Sequence, residues 1–321
     1  MSSFETGPDR LLRATDFVFA GRDDRELRRQ KQKGALVAVR PGVFIPVDVW
    51  RQAEGRDQHI LRAEAARPRL GAHAAFSHAT AAALHGWAHV ETWPELVDIT
   101  DPDVARSRRG ATARVHAFRL SDEDACYRAG LPVTSPGRTA VDLASTLPFR
   151  DAVVALDSAL ALPRKRGSPK RAKTILQLAD LDAALARRAP VRAHRRVVRA
   201  RDFADGASGS PGESLSRVML LEIGWPAPIQ QQSFSDVAGK IGDVDFWWPE
   251  YGLVGEFDGF VKYSRGDMLN GRTPAEAAVA EKRREDRLRA HRDVRGFARW
   301  MWSDLAQPGR LKSIPQSAAT K

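Results

Sequence analysis

The chain has a single cysteine, Cys126, so it has no internal disulfide framework and no Cys-rich zinc site. It also has no apolar run near the roughly 18 to 20 residues that a membrane span requires. Its opening, MSSFETGPDRLLRA, has none of the apolar character of a signal peptide. These absences point to a cytoplasmic protein without membrane association, held together by packing alone. No aromatic RNA-binding motif is present either, which argues against an RNA-recognition module.

What the sequence does have is length, an adequate apolar fraction and positive charge. With 321 residues and 43% hydrophobic content, it can form two or three domains with ordinary cores. The net charge of +11 and a pI near 10.3 favour a polyanionic partner, and DNA is the leading candidate. An Arg-rich composition also arises in GC-rich genomes, so the placement of the charge matters more than its sum.

Near the start, "GRDDRELRRQKQKG" reads as a helix. Asp23 or Asp24 can cap it, Arg28, Arg29, Lys31 and Lys33 make it basic, and Gly34 ends it. The following "ALVAVRPGVFIPV" has two β-rich runs split by Arg40-Pro41-Gly42, a hairpin signal. Helix, basic helix and hairpin is the order of a winged helix-turn-helix, in which the basic side chains and Arg40 would reach phosphates or base edges. A solvated helix packed on a small hairpin is the simpler alternative. Residues 1–54 are assigned to this unit.

Residues 55–203 read as a mixed α/β middle domain. "AFSHATAAALHGW" is an Ala-rich helix closing near Gly86, while "PELVDIT" and "ARVHAFRL" are strands. "TSPGRTAVDLAST" opens a helix with Ser135 as cap and Pro136 in the first turn, and "PFRDAVVALDSALAL" supplies another. His73, His78, His85 and His89 crowd one segment, but Gly86 interrupts any shared helix face and no zincin-type carboxylate accompanies them. Core or capping histidines are the plainer reading. Two basic stretches, 163–173 and 186–201, are either phosphate-tracking surfaces or solvated faces. "DFADGASGSPGES" reads as a linker, which sets the last domain at 204–321.

In that last domain, "GDVDFWWPEYGLVGEFDGFVKY" sets acids into two apolar runs. If Trp248 and Leu253 close the turn, residues summing to 501 lie opposite each other, so Asp245 faces Glu256 and Asp243 faces Asp258. All four then share one face, because strand side chains alternate with period two. Like charges directly opposed across a ladder are destabilising. Either a divalent cation such as Mg²⁺ offsets them, suited to phosphodiester hydrolysis, or arginines pair with them, or the face is solvated. Upstream, Ser210 and Glu213 have capping-box spacing at the start of a helix, with Glu213 expected to reach back to the Ser210 backbone. Downstream come a charged helix and a strand, giving helix, strand, strand, helix, strand.

These residues resemble the PD-(D/E)XK nuclease fold, in the branch similar to very-short-patch-repair endonucleases, over about 210–305. The resemblance implies a restriction-endonuclease-like α/β domain. It makes Glu213 the helix acid, Asp245 the metal-binding Asp and Glu256 the acid of the next strand. Asp245, Glu256 and Asp258 would hold Mg²⁺ or Mn²⁺. The family's usual Lys, two residues after the strand Glu, is replaced here by Asp258, and the His of the repair-like branch by Lys262. Lys262 would stabilise transition-state charge or assist the attacking water, or is a surface lysine.

Residues 9–50, with "SHATAAALHG" and "GLPVTSPGRTAVDLA" behind them, resemble the abortive-infection-type (type IV) antitoxins. That likeness implies an N-terminal winged helix, DNA binding in autoregulation and a cognate toxin as partner. The expectation is a DNA endonuclease built on Glu213, Asp245, Glu256 and Lys262. The alternative is a DNA-binding regulator or antitoxin-like protein whose nuclease-like domain is inactive.

Overall fold

The computed structural model describes residues 10–21, 23–90, 92–161, 175–188, 193–259 and 273–319. It is a mixed α/β protein with three sheets. The chain forms two compact units, Met1–Leu147 with Lys170–Val197, and Pro148–Pro169 with Val198–Lys321. No helix among the described residues is long and apolar enough to cross a membrane.

The first unit opens with a short strand, Leu12–Arg13, a helix, Ala14–Phe19, and the basic helix Arg25–Gln32. Asp23 accepts a hydrogen bond from the Arg25 N–H, and Gly34 takes a left-handed φ of 76° just past the helix end. The β-rich runs form the antiparallel strands Leu36–Arg40 and Val43–Pro46, with Leu12–Arg13 paired to the outer side of the second. Leu27 of the basic helix packs fully buried on Leu36 and Phe44. The apolar side of this small sheet is therefore covered, and the charged side of the helix stays in solvent.

Helix Arg56–Ala66 belongs to two cores at once. Leu61 and Ala65 join Leu11, Val43 and Ile45, while Ala63 and Ala66 join Phe76, Val97, Ile99 and Leu131. Packing is thus continuous across residue 54 within this unit. The second sheet has six strands in the order 108–109, 113–116, 97–100, 75–76, 131–134, 125–128; the pairs 113–116 with 97–100 and 75–76 with 131–134 are parallel, and the central pair and both edge pairs are antiparallel. Helices His78–His85 and Pro136–Thr146 form where the sequence places them. Gly86 closes the first with a left-handed φ of 79°, and the Ser135 hydroxyl accepts from the Arg138 N–H to cap the second.

The second unit is built on a four-stranded sheet: Ile229–Asp236, Gly239–Trp248 and Leu253–Phe257 run antiparallel, and Gly296–Trp300 lies parallel to the third. Helix Pro211–Glu222 and the C-terminal helix Pro308–Ala319 contribute Met219, Leu220 and Leu311 to a core with Phe246, Trp248 and Trp300. The charged helix Pro274–Arg289 supplies Leu288 to a second cluster with Val244 and Trp247. Two elements exceed the sequence expectation. Strand Ile229–Asp236 is polar, with three glutamines, and has no apolar alternation to announce it. The last helix contains Pro315, which reads as a breaker.

Helix Phe149–Leu160, read from sequence as part of the middle region, packs within the second unit. The segment read as a linker is tied down there. The Asp205 N–H and the Ser208 hydroxyl both donate to Asp157 of that helix, at 3.1 and 3.4 Å, and the Arg217 guanidinium donates to both Asp157 oxygens at 2.9 and 3.0 Å.

Candidate functional site

The carboxylates of the second unit stand on the hairpin register expected from sequence: Trp248 pairs with Leu253, Trp247 with Val254 and Phe246 with Gly255. Asp245 and Glu256 occupy the next step. Their side chains nonetheless take separate partners. Asp245 Oδ2 accepts the Phe257 N–H at 2.9 Å, and its Oδ1 lies 3.4 Å from Gln231 Nε2. That carboxamide also donates to Glu213 Oε2 at 2.9 Å, so one glutamine links two of the three acids.

Glu213 departs from the capping-box expectation by one residue. Ser210 Oγ accepts from the Glu213 N–H as expected, but the Glu213 carboxylate accepts from the Gly209 N–H at 2.6 Å and not from Ser210. Its second partner, Gln231, sits on the strand that the sequence reading missed. No local signal marks that glutamine.

Glu256 is buried, and both of its oxygens are engaged by guanidinium groups: Arg284 Nη2 at 2.7 Å on Oε1 and Arg299 Nη2 at 3.0 Å on Oε2. Arg284 also donates to the Asp243 carbonyl at 2.8 Å, and Arg299 to Glu285 at 3.3 Å. The Asp243 side chain meets Ser233 and Lys240 instead of Asp258. The Asp258 N–H donates to the Trp300 carbonyl at 2.8 Å. Of the three ways to offset opposed acids on this strand pair, pairing with arginine is the one the chain uses at Glu256.

The residues present therefore fit a divalent cation poorly. Among the described residues no three His, Cys, Asp or Glu side chains gather as a metal-holding group. The donor set around the acids is amide N–H, carboxamide and guanidinium, which compete with a metal for the same oxygen lone pairs. Lys262 lies outside the described residues, as does the whole stretch 163–173.

A second candidate lies in the first unit. Arg28, Lys31 and Gln32 of the basic helix, with Ala38, Arg40, Pro41, Gly42 and Phe44 of the hairpin, line an open cleft of about 350 Å³. Arg28 pairs with Asp24 at 3.0 Å and Arg29 with Glu26 at 2.6 Å, whereas Lys31 and Lys33 are exposed. Arg40 donates to the Ala65 carbonyl at 3.1 Å, and burial, then the charges of Arg69 and Arg13, hold its pKa below the ordinary arginine value. Arg40 sits in a local excess of positive charge, which an arriving phosphate would relieve.

The four clustered histidines do not converge. His73 bonds Asp103 at 2.9 Å, His85 donates to the Thr134 carbonyl at 2.8 Å, His89 lies against Trp93, and His78 stacks on His116 with ring centroids 3.9 Å apart. The middle-region phrase "SPGRTAVDLA" supplies instead a buried ion network. Arg138 donates to Asp124, Asp142 and the Arg119 carbonyl, while Arg187 and Arg188 approach the same two aspartates from another helix. Sequence reasoning assigned this phrase no chemistry of its own.

Residues 73–190 match the AbiEi antitoxin C-terminal domain, a span that contains both quoted middle-region phrases but not the basic helix or the carboxylate hairpin. Across 256 residues the chain is 30% identical to two uncharacterized proteins of Mycobacterium tuberculosis, Rv2248 and MT2308, covering 77% of this chain and 83% of each relative. With that identity over most of both lengths, the protein belongs to the same family as these mycobacterial relatives, and it carries the AbiEi antitoxin C-terminal domain match over residues 73–190.

Proposed function

We propose that the protein is a DNA-binding, antitoxin-like regulator. The observation that carries this reading is the AbiEi antitoxin match over residues 73–190, which also implies a cognate toxin as protein partner. On this reading residues 1–54 are a winged helix-turn-helix, 55–203 the antitoxin-like domain and 204–321 a PD-(D/E)XK-like domain acting as a scaffold. The basic helix and hairpin support the DNA-binding part. Arg28, Lys31 and Arg40 border one cleft, with Arg29 on the basic helix and Lys33 at its C-terminal cap, and these side chains would contact backbone phosphates.

The test is fluorescence anisotropy with duplex DNA from upstream of the protein's own reading frame, in chelator, over a range of salt. Binding should be salt-dependent and should weaken sharply when Arg28 and Lys31 are both changed to alanine. Equal affinity of parent and variant would refute this assignment of the DNA-contacting surface.

A second reading is a Mg²⁺- or Mn²⁺-dependent DNA endonuclease using Glu213, Asp245, Glu256 and Lys262, with Asp245, Glu256 and Asp258 as metal ligands. The strand register, which sets Asp245 and Glu256 at the same step of the hairpin, favours it. It requires Glu256 to leave Arg284 and Arg299, and it predicts cleavage that disappears in Asp245→Ala.

A further inference from the structure

We propose that Arg284 and Arg299 are the resident cations of the acidic hairpin, standing where the likeness to nucleases would put a divalent metal at Glu256. Opposed acids on neighbouring strands need a positive partner, and a buried carboxylate needs one more than an exposed carboxylate does. Glu256 is 8% exposed and has a guanidinium on each oxygen, 2.7 and 3.0 Å away. Two charge-assisted bonds to separate arginines meet both its charge and its hydrogen-bonding capacity.

The surrounding structure holds these arginines in place. Arg284 is anchored at three points: Glu256, the Asp243 carbonyl, and Glu281 one turn back on its own helix. Gly242 leaves room for it, since a Cβ there would lie 2.8 Å from Arg284 Nε. Arg299 comes from the parallel strand, directly opposite Glu256 in the register, and is held from the other side by Glu285. The charges of Glu256 and Glu281 outweigh the burial of Arg284 and raise its pKa, and Glu256, Glu285 and Asp258 do the same for Arg299. Both stay charged at any pH the fold survives.

A metal held by the other acids would also meet competition. The Gln231 carboxamide donates toward both Glu213 and Asp245, and the Phe257 N–H toward the second Asp245 oxygen. Glu256 is thus neutralised by the chain itself, Glu213 and Asp245 are engaged by neutral donors, and the role of Glu256 is to fasten the charged helix and the closing strand to the sheet. This inference does not depend on the DNA-binding reading, and the experiment that tests it uses no DNA.

The experiment uses the full chain with Mn²⁺ alone as probe, followed by calorimetry or by the paramagnetic signal of the free ion, together with thermal melting in chelator. The parent and Glu256→Gln should titrate alike with Mn²⁺, because Glu256 is not a ligand. In chelator, Glu256→Gln should melt lower than the parent by about 3 °C or more, since the change strands two guanidinium groups. The double variant Arg284→Gln with Arg299→Gln should bind Mn²⁺ at least about tenfold more tightly than the parent, and the gain should vanish when Glu256→Gln is added. If the arginine variant does not fold, the parent and Glu256→Gln decide the question on their own. The proposal is overturned if Glu256→Gln weakens Mn²⁺ binding to the parent about tenfold or more, or if it melts at or above the parent in chelator, as relief of acid repulsion would require.

Discussion

Arg138 and Asp124 form a buried ion pair, Nη1 to Oδ2 at 3.1 Å, between helix Pro136–Thr146 and the turn before strand Ala125–Arg128. The arginine is 1% exposed, and its Nε reaches Asp142 one turn further along the same helix. Arg187 and Arg188 complete the network from a helix distant in sequence, so the antitoxin-like region is held by charges with little access to water.

Replacing Arg138 by methionine keeps most of the apolar stem and removes the charge shared by Asp124 and Asp142. The expected cost is about 3 kcal/mol, the usual penalty for breaking one side of a buried pair. Urea unfolding of parent and variant measures it, and a change below about 1 kcal/mol would mean that Arg187 and Arg188 suffice for the two aspartates.

Acid should weaken the same region. Burial pushes His59, His78 and His85 each down to about 4, partly opposed for His59 by the Pro94 carbonyl, for His78 by Asp142 and for His85 by the Thr134 carbonyl. The unfolded chain takes up these protons below about pH 6.5, whereas the folded chain resists them until about pH 4. Stability is therefore complete above about pH 6.5 and falls as pH drops toward 4, by about 1.4 kcal/mol per pH unit for each histidine. His78→Asn, which tolerates the positive φ of 47° at that position, should flatten the melting-temperature profile between pH 6.5 and 4.5.

Gly255 is a packing requirement. A Cβ on it would lie 2.7 Å from Trp300 Cη2 and 2.8 Å from Trp248 Cζ3, two indoles packed in the core of the second unit. Gly255→Ala should cost about 1 to 3 kcal/mol through displacement of rings that have no free space. Near-ultraviolet circular dichroism, which reports tryptophan packing, should change along with the unfolding midpoint.

Arg40 offers a graded test of the proposed DNA surface. If it meets one phosphate, Arg40→Gln should weaken DNA binding and lower the slope of log affinity against log salt by about 1. An unchanged slope would place Arg40 in the hairpin fold alone, through its bond to Ala65.

Much of this was legible because it is local. Gly86 and Ser135 close and open their helices from within a few residues, and the basic helix and hairpin follow from caps, turn residues and alternation. The polar strand Ile229–Asp236 was not legible. Its glutamines carry no apolar pattern, and pairing with the strand Gly239–Trp248 makes them part of a sheet. Without that strand there is no Gln231 between Glu213 and Asp245.

The carboxylate hairpin shows where the boundary lies. Sequence alone determined that two strand-like runs flank a short turn and that alternation sets the acids of each run on one face, while the register, conditional on Trp248 facing Leu253, is fixed by the pairing in the folded sheet. The tertiary structure alone decided what those acids bind. Arg284 and Arg299 lie 28 and 43 residues beyond Glu256, on a helix and a strand whose positions depend on packing Leu288, Ala298 and Trp300 against the sheet. A carboxylate's spacing can be read along the chain, but its counter-ion depends on which distant side chain the folded core brings within hydrogen-bonding distance.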